Sequence, residues 1–146
     1  MRPTKRKVLV LVTAGVSLLL IAGLYWGAIA LRKHLDPTCV FRAAAAGSTT
    51  KLRLMLFVRP EFAKATNKGD GRTALHFAAT NLPATKLLID KGADIDAQDA
   101  LGETPLFWAA MFGRVDVAKF LVSRGASVTA QNNLGQQPIH AAAVSG

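Results

Sequence analysis

Three kinds of hydrophobic pattern follow one another along the chain. Residues 8–31 contain no charged side chain in 24 positions. As a helix this run is roughly 36 Å long, enough for a hydrocarbon core of about 30 Å. Next comes "FRAAAAGSTTKLRLMLF", in which an alanine run and Gly47 precede Leu52, Leu54, Leu56 and Phe57. The leucines alternate, so a strand is a formal rival, but the repeat context downstream selects a helix. Beyond residue 70 the apolar positions fall at helical spacing, as in Val117, Phe120 and Leu121 at i, i+3 and i+4.

That downstream part repeats itself. "GRTALHFAA" begins at Gly71, "GETPLFWAA" at Gly102 and "GQQPIHAAA" at Gly135. Gly102 and Gly135 are 33 residues apart, as are the Gly92-Ala93 and Gly125-Ala126 pairs, whereas Gly71 and Gly102 are 31 apart. The local chemistry of each copy is that of a helix pair. Thr104 is a fair N-cap and Pro105 a good first helical residue. Ala109-Ala110 permit close helix approach. Asp116 and Arg124 suit the two ends of the second helix. Gly92 and Gly125 supply the left-handed residue that stops it.

Repetition at this period marks a stacked array. Thr104-Pro105-Leu106, Ala109-Ala110, Gly113, 117–121 (VAKFL) and Gly125-Ala126 together resemble the ankyrin repeat family. The preceding copy matches through Thr73, Leu75-His76, Ala78-Ala79, Leu87-Leu88, Gly92-Ala93-Asp94 and Ile95. Ala74 stands where the family has proline, and two residues are missing between Ala79 and Gly92. The expectation is a tighter inter-helix turn, with Pro83 starting the second helix. The fold class is therefore all-α, an ankyrin-repeat solenoid of stacked helix-turn-helix units preceded by one N-terminal transmembrane helix. Its expected parts are a basic flank (1–7), an anchor (8–31), a linker (32–40) and repeats (41–146). The repeats divide into a degenerate capping unit (41–67), two repeats (68–98 and 99–131) and a truncated one (132–146), with one helix over 138–145. A cap should be polar outside, and Arg42, Lys51, Arg53 and Arg59 make this one basic.

Charge sharpens the picture at the N-terminal side. Of 18 Lys and Arg and nine Asp and Glu, residues 1–35 hold six basic and no acidic, 36–72 seven and three, and 73–146 five and six. The basic excess that flanks the apolar run favours an anionic membrane surface over nucleic acid. Tyr25 and Trp26 near the far end suit the headgroup region, and Gly23 with Gly27 forms a possible helix-pairing face. A cleaved signal peptide, giving a secreted soluble protein, is the rival. The run is long for one, and Trp26 lies close to the Ala28-Ile29-Ala30 cut. Four basic residues before the run against two after it place the N-terminus in the cytoplasm. The repeats are then extracytoplasmic, periplasmic or extracellular.

No chemistry-bearing constellation accompanies the repeats. Cys39 is the sole cysteine and reads as a small apolar filler. The family resemblance makes His76 and His140 structural, bonded to backbone near the turns, and Phe107 takes their position in the middle copy. "KGDGR" (68–72) reads as a turn, and Asp94 with Asp96 as a solvated loop. No cofactor, metal, catalytic residue or small-molecule substrate is expected, and nucleic acid is disfavoured. The expected partners are a protein and, through residues 8–31, the lipid bilayer.

The resemblance implies recognition by turn tips and by the exposed face of the first helix. The candidate partner-binding residues are Leu101, Glu103, Trp108, Met111 and Phe112, with Arg72, Phe77, Asn81 and Gln136 from the neighbouring copies. Two readings of the aromatics stay open. Trp108 and Met111 pack between units, or Trp108 and Phe112 remain partly exposed and hold a partner. The expected function is a membrane-tethered protein–protein interaction module without catalysis. The alternative is the targeting portion of a longer enzyme whose catalytic domain lies beyond residue 146.

Overall fold

A computed structural model describes residues 36–145. The apolar run 8–31, and with it the expected transmembrane helix, lies outside the described residues. Among those described, no helix is long and apolar enough to cross a membrane. Seven α-helices and a 3-10 turn make up one compact unit, Asp36–Gly146. They are α1 (Thr38–Ala45), α2 (Thr49–Val58), the 3-10 turn Pro60–Lys64, α3 (Ala74–Ala78), α4 (Leu82–Asp90), α5 (Pro105–Met111), α6 (Val115–Ser123) and α7 (Pro138–Ser145).

Each pair is joined by a short link, and successive pairs stack. α1 packs on α3, α3 on α5 and α5 on α7, while the outer helices α2, α4 and α6 form a second row. The core runs through the stack as small residues facing large ones. Ala79, Leu106, Ala109, Val117, Leu121 and Ala126 form one fully buried cluster. The alanines have little side chain to hold helices apart, so the leucines of neighbouring helices fill the space between them.

α2 is a helix, as the repeat context requires. Leu52 and Leu56 are buried, whereas Leu54 and Phe57 are 58% and 80% exposed. Leu52 and Leu56 share one stripe at i and i+4, and the alternating positions fall on the other side. The shortened second unit also differs from expectation. The link from α3 to α4 has three residues, 79–81, like the link 112–114 from α5 to α6. The deficit instead shortens the first helix, five residues in α3 against seven in α5. Asn81 caps α4, its Oδ1 accepting from the Ala84 N–H at 3.0 Å, with Leu82 ahead of Pro83 in the first turn. Buried Thr85 donates its hydroxyl to the Ala78 and Asn81 carbonyls at 2.8 and 3.0 Å. Thr85 thus supplies a donor to the Ala78 carbonyl at the early end of α3.

His76 ties one unit to the next. Its Nδ1 accepts from the Thr73 N–H at 3.1 Å, which puts the ring proton on Nε2, and Nε2 donates to the Glu103 carbonyl at 2.9 Å. Burial holds this imidazole below its ordinary pKa, against the opposing pull of the Glu103 carbonyl and the Asp99 charge. A second proton on Nδ1 would face the Thr73 N–H. The unfolded chain therefore binds that proton more readily, so the stability that neutral His76 contributes is fully present above about pH 6.5 and is lost as pH drops below it. Thermal melts between pH 7.5 and 5 should show the decline. His76→Phe, which copies the buried Phe107 of the next unit, should flatten it at some cost in stability at pH 7.5. An unchanged slope would assign the effect to other groups. His140 makes the same Nδ1 bond to the Gln137 N–H at 3.0 Å, but on an exposed ring.

Candidate functional site

The site begins as a tight loop between α4 and α5. Asp99 donates its N–H to the Glu103 carbonyl at 3.0 Å, and its Oδ1 accepts from the N–H groups of Leu101 and Glu103 at 2.9 and 3.0 Å. A short carboxylate folded back on its own loop in this way is an Asx-type turn. Gly102 completes it at φ +75, where a Cβ would meet Asn133 Oδ1 at 2.7 Å and Asn133 N at 3.0 Å. A side chain is excluded there both by conformation and by the next loop. Asn132 repeats the device one unit on, accepting from the Leu134 and Gln136 N–H groups.

The loops are stitched along the stack. The Ala100 N–H donates to the Asp70 carbonyl and the Asn133 N–H to the Leu101 carbonyl, both at 2.9 Å. Asp96 is part of this stitching rather than solvated, because its Oδ1 accepts from the Ser127 N–H at 2.9 Å. The array needs an acceptor at that point to satisfy a half-buried backbone donor.

Asp99 then organises the surface. Its carboxylate, with a side chain only 1% exposed, accepts at Oδ2 from Trp108 Nε1 at 3.3 Å. Arg72 reaches over from the preceding loop. Its guanidinium carbon lies 3.9 Å from the Trp108 ring centroid, and its Nε is 3.6 Å from Asp99 Oδ2 and 3.5 Å from Asp70 Oδ2. The indole is thus held by a carboxylate at its N–H and a cation on its face. Trp108 packs on the buried cluster with its inner side. Its ring meets Phe112 at 5.6 Å between centroids. Phe112 is 50% exposed and Leu101, at the loop tip, 57%. Trp108 and Met111 on α5, and Phe112 as its C-cap, follow one another at i, i+3 and i+4. Glu103 is half-buried beside them. Burial, and then the Asp99 charge, raise its carboxyl above the ordinary range.

The candidate residues are thereby sorted. Arg72, Glu103 and Trp108 gather around Asp99, with the Phe112 ring tilted against the indole, Leu101 exposed at the loop tip and Met111 half-buried at the end of α5. Phe77 belongs one unit away, with its ring 5.5 Å from that of Phe41. Asn81 is engaged as a helix cap, and Gln136 is bound to Asn132 at the next loop. Asp99 was not singled out from the sequence. The available signal was its place three residues before Gly102, which matches Asn132 before Gly135. Among the described residues no group of three or more His, Cys, Asp or Glu side chains is arranged to hold a metal ion. The arrangement offers a rigid apolar rim, a half-buried acid and a cation already neutralised by two carboxylates. It suits recognition of a surface.

Comparison with known proteins agrees with this geometry. The family model described as Ankyrin repeats (3 copies) matches residues 16–99, 40–132 and 81–146. Three rice proteins (Oryza sativa subsp. japonica) are similar over part of the chain. Zinc finger CCCH domain-containing protein 24 is 40% identical over 89 residues, which is 58% of this chain and 11% of the relative. E3 ubiquitin-protein ligase XB3 is 36% identical over 78 residues, 52% of this chain and 17% of the relative. Probable E3 ubiquitin-protein ligase XBOS33 is 34% identical over 77 residues, 51% of this chain and 15% of the relative. The chain therefore spans less than a fifth of the length of each.

Proposed function

Because this chain belongs to the ankyrin repeat family, we propose that it is a membrane-tethered protein-binding module, capturing its partner on the Arg72, Trp108 and Phe112 surface. Ankyrin repeats imply protein partners, and the repeat region is non-catalytic. The observation that carries the choice of surface is the clamped indole. Trp108 is fixed from two sides before any partner arrives, with Phe112 exposed next to it. A side chain already immobilised loses little conformational freedom on binding. Trp and Arg are the types that most often dominate binding energy.

The tether is read from the 24-residue uncharged run and its basic flanks. Confining the module to a membrane raises its effective concentration toward partners there. The four-against-two basic bias favours a cytoplasmic N-terminus with the repeats on the other side. Protease added to intact cells should then digest the repeats, and protection of the repeats until lysis would reverse the topology. The surface is tested with a photo-crosslinking amino acid at Phe112 and, separately, at the exposed Val122 of α6. A discrete crosslinked partner is expected from position 112 alone, and equal products from both positions would reject this surface.

A second reading draws on the relatives, two of which are named E3 ubiquitin-protein ligases and are matched over only 15–17% of their length. In that reading the repeats bring a substrate to a catalytic domain carried elsewhere on a longer chain. The full-length open reading frame distinguishes the two.

A further inference from the structure

We propose that the first helix pair also docks on an anionic lipid surface, through the outward side of α2. This side was expected to be polar and basic, as an end cap is. It instead combines cations with exposed hydrophobes. Leu54 and Phe57 stand three residues apart on one face, 58% and 80% exposed. Arg53 and Lys51, both exposed, flank them at i, i+4 and i, i+3 spacing. Leu52 and Leu56 occupy the opposite stripe and are buried. α1 and α2 contain Arg42, Lys51 and Arg53 and not one acidic residue. None of the three cations takes part in an ion pair among the described residues. Beside the ridge lies a groove of about 350 Å³ between α1 and α2. Ala43 and Met55 line it, and Arg42 and Lys51 contribute the cations.

This chemistry fits the headgroup and upper acyl region of a bilayer. Arginine and lysine meet lipid phosphates while Leu54 and Phe57 enter the boundary below them, as in helices that lie in the interfacial plane. A nucleic acid would meet the cations equally well. It would gain nothing from Leu54, and one phenylalanine is a poor stacking platform. The apolar run ends at Leu31, seven residues before α1. The inference rests on the tether reading only for the nearness of a bilayer, and the contact itself stands on α1 and α2.

The test uses the full chain with Cys39→Ser and a reporter Thr50→Cys, which sits on the same exposed face without replacing a proposed contact. A bilayer-impermeant maleimide is reacted in the presence of phosphatidylcholine vesicles, or of vesicles with about one third phosphatidylglycerol. Ile139→Cys, exposed on α7, serves as the control position. Since each basic side chain near an anionic surface is worth about fivefold in binding, the rate at position 50 should fall about tenfold with phosphatidylglycerol. It should recover in Lys51→Glu with Arg53→Glu, and the rate at position 139 should not change. Equal rates at position 50 in both vesicles would overturn the proposal. So would protection by RNA without lipid that matches the lipid effect. Resistance to an alkaline carbonate wash reports separately on the apolar run. Protection without wash resistance leaves the docking surface standing and removes the tether. Wash resistance without protection does the reverse.

Discussion

Replacing Asp99 with alanine should lower folding stability by about 3 kcal/mol, the largest effect expected of any single side chain in the loops. Two backbone N–H groups, those of Leu101 and Glu103, lose a charged acceptor, and bonds of that kind contribute about 1.5–3 kcal/mol each. Trp108 Nε1 loses its acceptor and Arg72 one of its two carboxylates. Against a total stability of about 5–15 kcal/mol for an ordinary domain, this is a large fraction. Urea titration should show a lower midpoint at unchanged slope. The informative companion is Asp99→Asn. Asparagine keeps an oxygen for the two N–H groups, as Asn132 does in the next loop, but carries no charge for Arg72. Its cost should be about 1 kcal/mol, the value of an ordinary hydrogen bond. If alanine and asparagine destabilise equally, the loop bonds are not what Asp99 supplies.

The second large effect concerns capture. Trp108→Ala should weaken partner affinity by about 2–3 kcal/mol, or roughly 30- to 150-fold, as truncation of a central aromatic anchor does. Phe112→Ala, at the more exposed ring, should cost about tenfold. Because Trp108 also packs on the buried cluster, its removal will cost stability. Affinity must therefore be measured where circular dichroism shows the variant fully helical. Arg72→Gln provides the cleaner comparison. It leaves the indole in place and removes the cation from its face, so a loss of about fivefold is expected from freeing the ring. Wild-type affinity in both Trp108→Ala and Phe112→Ala would place the partner elsewhere on the stack.

Much of the fold was legible because its signals are local. Thr104 accepts from the Phe107 N–H at 3.3 Å, Pro105 opens α5, and Gly92 and Gly125 sit at φ +80 and +93. Each is a contact within one turn, set by side chains only a few positions apart. The site was legible only in part. Trp108 and Phe112 stood out as aromatics in a copy that otherwise repeats its neighbours. Asp99 looked like an ordinary loop acid, because its significance depends on an indole nine residues later and a guanidinium 27 residues earlier.

The sequence by itself determined the period, the helix-turn-helix unit and the absence of a motif for catalysis within the copies, since caps, turns and amphipathic spacing act over four residues or fewer. Tertiary structure alone decided that α3 rather than its turn would shorten, that Leu54 and Phe57 would face outward, and that His76 would reach the Glu103 carbonyl. It also decided that Asp99 would lock Trp108 beneath Arg72. These outcomes depend on which unit lies against which. Burial and hydrogen bonding across about 30 residues become favourable only after the helices have stacked and excluded water from between them.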